Sequence, residues 1–345
     1  MGLNLYTLDG WIDAEQIVSS PCPFVLAIGG RGIGKTYGVL LELYKRGIPF
    51  IYMRRTQSQL DAVTIPALNP FNQINTDHGY NVVAEKMGKY TVGFYNGATD
   101  EEGKTRATGE PFAIGIALST FASIRGMSAE RYEVLLFDEI IPERHEKAFK
   151  EEELAFANAL ESLNRNRELT GREPLKVIML SNSNTLNSKI ISALGCMDEL
   201  ERMTKRGIDY KVFREDLAIF RYMDSPVSAK KKNTALYRMI QNKDFQGMAL
   251  DNDFSAADFE FVQQKPLTEY NMIVSVGDCT ICKHKHNGEY YVISGKKAPI
   301  KYTLLPLERK AFQKQYFYIW GAVLRKKVYF QSGTVKIEFE RAWET

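Results

Sequence analysis

"LAIGGRGIGKTYG", residues 26–38, decides the fold of this 345-residue chain. Five glycines surround one lysine, and Gly29 to Thr36 fit the pattern G-x-x-x-x-G-K-[ST]. The apolar run FVLAI before it has the length of a buried strand. KTYGVLLELYKRG (35–47) after it has a helical pattern closed by Gly47 and Pro49. A strand, a glycine loop and a helix start in that order bring backbone N–H groups and the positive helix end around a phosphate. Gly29, Gly30, Arg31, Gly32, Ile33 and Gly34 are therefore expected to form a phosphate cradle. Lys35 would reach the β- and γ-phosphates and Thr36 would hold Mg²⁺.

Working outward, short apolar stretches recur at PFIYMRR (49–55), YTVGFYN (90–96), FAIGIAL (112–118), EVLLFDE (133–139) and KVIMLSN (176–182). Helical patterns lie between them, notably KEEELAFANALESLNRNREL (150–169). Strands apolar throughout and alternating with helices predict an α/β domain whose mostly parallel sheet is buried on both faces. In VLLFDE an apolar strand delivers Asp138, placed to bind Mg²⁺ through water, and then Glu139, placed to polarise an attacking water. The strand ending in Ser181 and Asn182 offers Asn182 as a γ-phosphate sensor, with a helix cap or Asx turn as its other reading. No N-K-x-D guanine-selecting motif is present, so ATP is preferred over GTP.

Composition sets the frame for these motifs. Apolar residues make up 44% of the chain, enough for real cores, and no apolar run reaches eighteen residues. The first residues lack the basic start and apolar centre of a secretory signal, so a soluble cytosolic protein with no membrane partner is expected. Four scattered cysteines fit reduced thiols. Charge is uneven: Lys265 to Thr345 hold fourteen Lys and Arg against seven Asp and Glu, a local +7 in a chain of net +3. Such a basic tail suits a polyanionic partner, though it is also compatible with a solvated lysine-rich surface. Texture changes near Ser225 to a polar, weakly helical stretch, and strand-like runs resume after Pro266. The expected division is therefore an ATPase domain over 1–200, a largely helical linker over 201–260 and a small β-rich α+β domain over 261–345.

Taken together, IGGRGIGKTYG, PFIYMRRT, STFASIRGMSAERYEVLLFDE and NRNRELTGREPLKVIMLSNSN resemble the DNA-packaging (encapsidation) ATPases of phi-29-like short-tailed phages, relatives of large terminase motors. The resemblance covers about residues 20 to 190. It implies an ASCE-type P-loop NTPase that forms a ring, a homopentamer, and drives double-stranded DNA through the portal of a procapsid in the host cytoplasm. ATP and Mg²⁺ would be its cofactors, and a structural RNA is a further implied partner. It also implies an arginine acting on the neighbouring subunit's nucleotide, with Arg165 or Arg167 in NRNRE as candidates, their other reading being ordinary exposed charges that end a helix. Arg54, Arg55 and Arg125 are further candidates for phosphate or DNA contacts, with salt bridges as the equal alternative for their paired charges. Lys86, Lys89, Lys104 and Arg106 are candidates for sequence-blind grip on the duplex.

Terminases carry an RNase H-like nuclease after the motor, and MIVSVGDCTICK with GEYYVIS resembles its first hairpin, with Asp278 at the end of strand one. Two-metal cleavage needs convergent carboxylates, and the acids of this region are scattered. The expectation is a vestigial nuclease that binds DNA, RNA or the portal through residues such as Arg325, Lys326 and Lys327. CTICKHKH contains Cys279, Cys282, His284 and His286, but a strand would turn Cys279 away from the others, against zinc. The competing functions are a helicase or helicase loader on single strands, and a nucleotide-gated binding protein without turnover.

Overall fold

The computed structural model describes residues 3–103, 105–142, 149, 151–182, 188–223, 225–231, 233–239 and 261–343. Lys104, Ser183 and Asn184 lie outside the described residues, as does most of the polar stretch after Met239. The chain divides into two compact units, residues 1–190 with 207–255, and residues 191–206 with 256–345.

The first unit is built on a nine-stranded sheet. Its strands in chain order are β1 (Phe24–Gly29), β2 (Phe50–Arg54), β3 (Val82–Lys86), β4 (Thr91–Thr99), β5 (Thr105–Ala117), β6 (Val134–Asp138), β7 (Lys176–Asn182), β8 (Tyr210–Phe213) and β9 (Leu217–Tyr222). Their spatial order is β3-β4-β5-β2-β6-β7-β1-β9-β8. The six strands from β5 to β9 pair in parallel, while β3, β4 and β8 add antiparallel edges. Strand β7 separates the glycine-loop strand β1 from the acid-bearing strand β6, the ASCE arrangement. Val25 to Ile28, Phe50 to Met53 and Leu135 to Phe137 are all but fully buried, so both faces are covered, as the unbroken apolar runs require.

The helix Lys35–Lys45 lays Val39, Leu40 and Leu43 against one face and ends where Gly47 takes φ 64. The acidic helix is shorter than its sequence pattern. It runs Glu152–Asn164 and stops because Arg165 enters positive φ (47°), after which the Asn164 side chain accepts the Leu175 N–H at 2.8 Å and steers the chain into β7.

The expected boundary at residue 200 does not hold. Strands β8 and β9 (210–222) extend the first unit's sheet, with β9 paired to β1 from Phe24↔Leu217 to Gly29↔Tyr222. LAIFRY is a buried strand rather than linker, and the turn residues before it make the hairpin. Conversely, the helix Met197–Arg206 belongs to the second unit. There Glu201 accepts the Gly333 N–H at 3.3 Å, and Thr334 donates to Asp198 at 2.8 Å.

The second unit holds a five-stranded sheet of β10 (Tyr270–Val276), β11 (Cys279–His284), β12 (Tyr290–Ile293), β13 (Lys301–Tyr302) and β14 (Val328–Phe330), ordered β13-β10-β11-β12-β14. The first three form an antiparallel meander, and the two edge strands pair in parallel. Val274, Val276, Ile281, Phe312, Ile319, Val335 and Phe339 form its core with the helices Pro306–Gln315, Phe317–Leu324 and Gly333–Arg341. Among the described residues no helix is long and apolar enough to cross a membrane.

Candidate nucleotide site

The site forms at the C-terminal ends of β1, β6 and β7, where parallel strands release their loops. Gly32 (φ 63) and Gly34 (φ 94) take the left-handed conformation that the loop needs, which L side chains resist. A cleft of about 590 Å³ is lined by Arg31, Gly32, Gly34, Lys35, Thr36, Tyr37, Asp138, Glu139, Ser181 and Asn182. Gly29 and Gly30 support it from behind: their carbonyls accept from Lys35 Nζ at 3.0 and 2.6 Å. Ile33, fully buried, pins the loop to the core.

Lys35 also donates to Asn182 Oδ1 at 3.2 Å, so the amide that ends β7 touches the lysine of the glycine loop directly. Burial pushes the Lys35 ammonium down from its ordinary 10.5 to about 7, partly offset by Asp138. The Thr36 hydroxyl donates to Asp138 Oδ1 at 3.0 Å. A hydroxyl and a carboxylate at this spacing suit a Mg²⁺ ion that completes its shell with phosphate oxygens and water. The donor set and the positive-φ glycines thus fit a magnesium-bound nucleoside triphosphate.

Two features were not assigned from sequence. Arg54, at the end of β2, bridges the acids: it donates to Asp138 Oδ2 at 3.1 Å and to Glu139 Oε2 at 2.6 Å, and Tyr52 adds a bond to Asp138 at 2.9 Å. Burial opposes the charge on Arg54, but Tyr52, Asp138 and Glu139 outweigh it and raise its pKa. The paired arginines in MRRT were the signal; their separate roles were not. Arg55 turns away into a buried pair with Glu152 at 2.8 Å. Second, Glu139 leaves its strand at φ 57, a conformation costing about 1–2 kcal/mol for a side chain with Cβ, and this turn aims its carboxylate at the cleft.

Arg165 and Arg167 separate in the structure. Arg167 is buried and its guanidinium donates to the Ala129 and Tyr132 carbonyls at 2.7 Å each, so it is committed to its own subunit's fold. Arg165 is exposed, with one bond to the Met127 carbonyl at 3.1 Å. Among the grip candidates, Lys86, Lys89, Arg106 and Arg125 are exposed; Lys86 and Arg106 face Asp61 and Asp100 at 3.3 and 3.7 Å.

In the second unit, Asp278 sits in the turn after β10 rather than on the strand. It is 91% exposed and faces Lys297 at 3.4 Å. Cys279 packs into the helix-covered core while Cys282 packs with Tyr270 and Tyr291 on the other face. Burial raises the two thiols to about 12 and about 11, which keeps them protonated. Among the described residues no three His, Cys, Asp or Glu side chains cluster to hold a metal.

An ASCE sheet with a glycine cradle, a buried lysine and a paired acid defines a P-loop nucleoside-triphosphate-binding protein. More particularly, the chain belongs to the podovirus DNA encapsidation protein (Gp16) family, whose profile matches residues 10–298. It is similar to the DNA packaging proteins of Bacillus phages PZA and phi29, each 24% identical over 244 residues. Those matches span 69% of this chain but only 64% of each relative's length. Among solved structures it resembles the Phi-28 gp11 DNA packaging motor, with a TM-score of 0.65 at 18% identity over 98% of this chain and 99% of that one. The bacteriophage Phi-29 viral genome packaging motor assembly matches with the same score and identity over 97% of this chain. At that identity the likeness establishes the fold.

Proposed function

We propose that this chain is the ATP-hydrolysing subunit of a ring motor that moves double-stranded DNA through a portal into a procapsid. The observation that carries the reading is the convergence of Lys35, Thr36, Asp138, Glu139 and Asn182 at the C-terminal ends of three central strands in a member of the encapsidation family. The names of its relatives, DNA packaging proteins, support the cargo. ATP with Mg²⁺ supplies the scissile phosphoanhydride when bound. Lys35 and the loop N–H groups hold its phosphates, Thr36 and Asp138 fix the ion, and Glu139 takes the proton of the attacking water. Arg54 orients that glutamate through its 2.6 Å bond. Lys86, Lys89 and Arg106 supply sequence-blind contacts to the duplex. The basic second unit binds nucleic acid or portal and does not cleave DNA.

Incubating the protein with procapsids, duplex DNA and Mg·ATP should protect the DNA from added nuclease, and omitting ATP should abolish protection. A motor on single strands would instead show ATPase stimulated by forks or single-stranded DNA and no uptake.

Of the two NRNRE candidates, Arg165 has the exposure to act on a neighbouring subunit and Arg167 does not. Arg165→Ala is expected to leave the melting temperature nearly unchanged and to lower ATPase of the assembled ring by about 10³-fold or more. Arg167→Ala strands two buried carbonyls, costs roughly 2–3 kcal/mol, and should show as a lower melting temperature in the isolated chain. Normal ring ATPase in Arg165→Ala would remove that assignment.

A further inference from the structure

Lys231 closes the phosphate loop from outside. Its Nζ donates to the carbonyls of Arg31 and Gly32 at 2.7 Å each. We infer that Lys231 is a positioning residue of the nucleotide site, a clamp that holds the loop's N–H groups in their binding orientation and ties loop occupancy to the helix Pro226–Lys231. The inference rests on the nucleotide-site reading above.

Peptide geometry makes the argument. In a trans peptide the carbonyl of one residue and the N–H of the next point in opposite directions from one rigid plane. Fixing the Arg31 and Gly32 carbonyls outward therefore fixes the Gly32 and Ile33 N–H groups inward. These are the donors a phosphate needs, and a glycine-rich loop cannot hold them by itself because glycine restricts its backbone least.

Three further observations make the contact specific. A Cβ at Gly32 would lie 2.6 Å from Lys231 Nζ, so the glycine that permits φ 63 also makes room for the ammonium. The helix that carries Lys231 is anchored: Val227 and Ser228 are buried, and Pro226 packs so closely on Gly10 that a Cβ there would sit 2.7 Å away. Finally, the ammonium is drawn partly out of water, which lowers its pKa, and its charge is felt by Lys35. Two cations thus flank the loop, Lys35 from within and Lys231 from behind.

By linkage, a clamp that favours the bound loop must itself be tightened by nucleotide. The test uses the full chain and Mg·ATPγS, with affinity measured by calorimetry. Lys231→Met should weaken binding about tenfold or more at an unchanged melting temperature. In steady-state ATPase it should raise KM with little change in kcat, the pattern of lost ground-state and transition-state binding alike. Lys231→Arg, which keeps the charge and two donors, should recover most of the affinity. Brief acetic anhydride labelling should modify Lys231 more slowly with nucleotide than without, against Lys230 as internal control. Wild-type affinity in Lys231→Met, or labelling of Lys231 indifferent to nucleotide, would overturn the clamp while leaving the site reading intact. Failure of the wild-type chain to bind ATPγS would overturn that reading instead.

Discussion

Lys35→Ala is expected to abolish measurable ATP hydrolysis and DNA uptake and to weaken Mg·ATP binding by roughly 10²- to 10³-fold, the scale of truncating one partner of a buried charge pair. In the nucleotide-free protein the change removes the donor to two buried carbonyls and the Asn182 amide, a loss offset in part because a desolvated cation is removed with it. Its desolvation is what lowers the ammonium to about 7. The sign of the pH dependence follows. Phosphate oxygens favour the charged form, so the pKa rises on binding, and above pH 7 the protein takes up a proton as ATP binds. Affinity should therefore fall as pH rises above about 7, by at most about tenfold per unit, and level off below it. Calorimetry in buffers of different ionisation enthalpy measures that uptake directly. Lys35→Met should lose it, and an unchanged proton count in that variant would assign the uptake to another group.

Glu139→Gln is expected to keep ATP affinity within about twofold while lowering turnover by about 10²- to 10⁴-fold, the range of a lost general base. The amide is isosteric and still accepts from Arg54, so the arrangement of β2 and β6 survives and only the proton acceptor is lost. Single-turnover hydrolysis of radiolabelled ATP, with binding measured in parallel, separates the two effects. Wild-type turnover in this variant would move the base elsewhere. Negligible turnover in the wild-type chain would favour the nucleotide-gated binding protein over the motor. Since Arg54 touches both acids, Arg54→Ala should also lower turnover, through an unrestrained Glu139 and an Asp138 that loses one of its three bonds.

Much of this site is legible in the chain because its parts are local. A strand, loop and helix contiguous over Phe24 to Lys45 dictate their own geometry, and VLLFDE carries its acids at the end of an apolar run. Uninterrupted apolar strands foretold burial on both faces for the same reason: each residue reports its own solvent environment. Domain limits were harder. LAIFRY reads as a short apolar run whether it pairs with β1 or stands in a linker, and MDELERMTKR has helical periodicity in either unit; the partner decides, and it lies far away in sequence.

The sequence by itself determined the strand–glycine loop–helix unit, the paired acids at a strand end and the α/β class, since each follows from local periodicity or spacing, unit by unit along the chain. Only the tertiary structure decided what the remaining arginines and Lys231 touch. Arg54 faces Asp138 and Glu139, Arg55 a buried glutamate, Arg167 two carbonyls, and Lys231 a loop two hundred residues upstream. Long cationic side chains act at distances set by which strands lie side by side, and that is a property of the folded sheet.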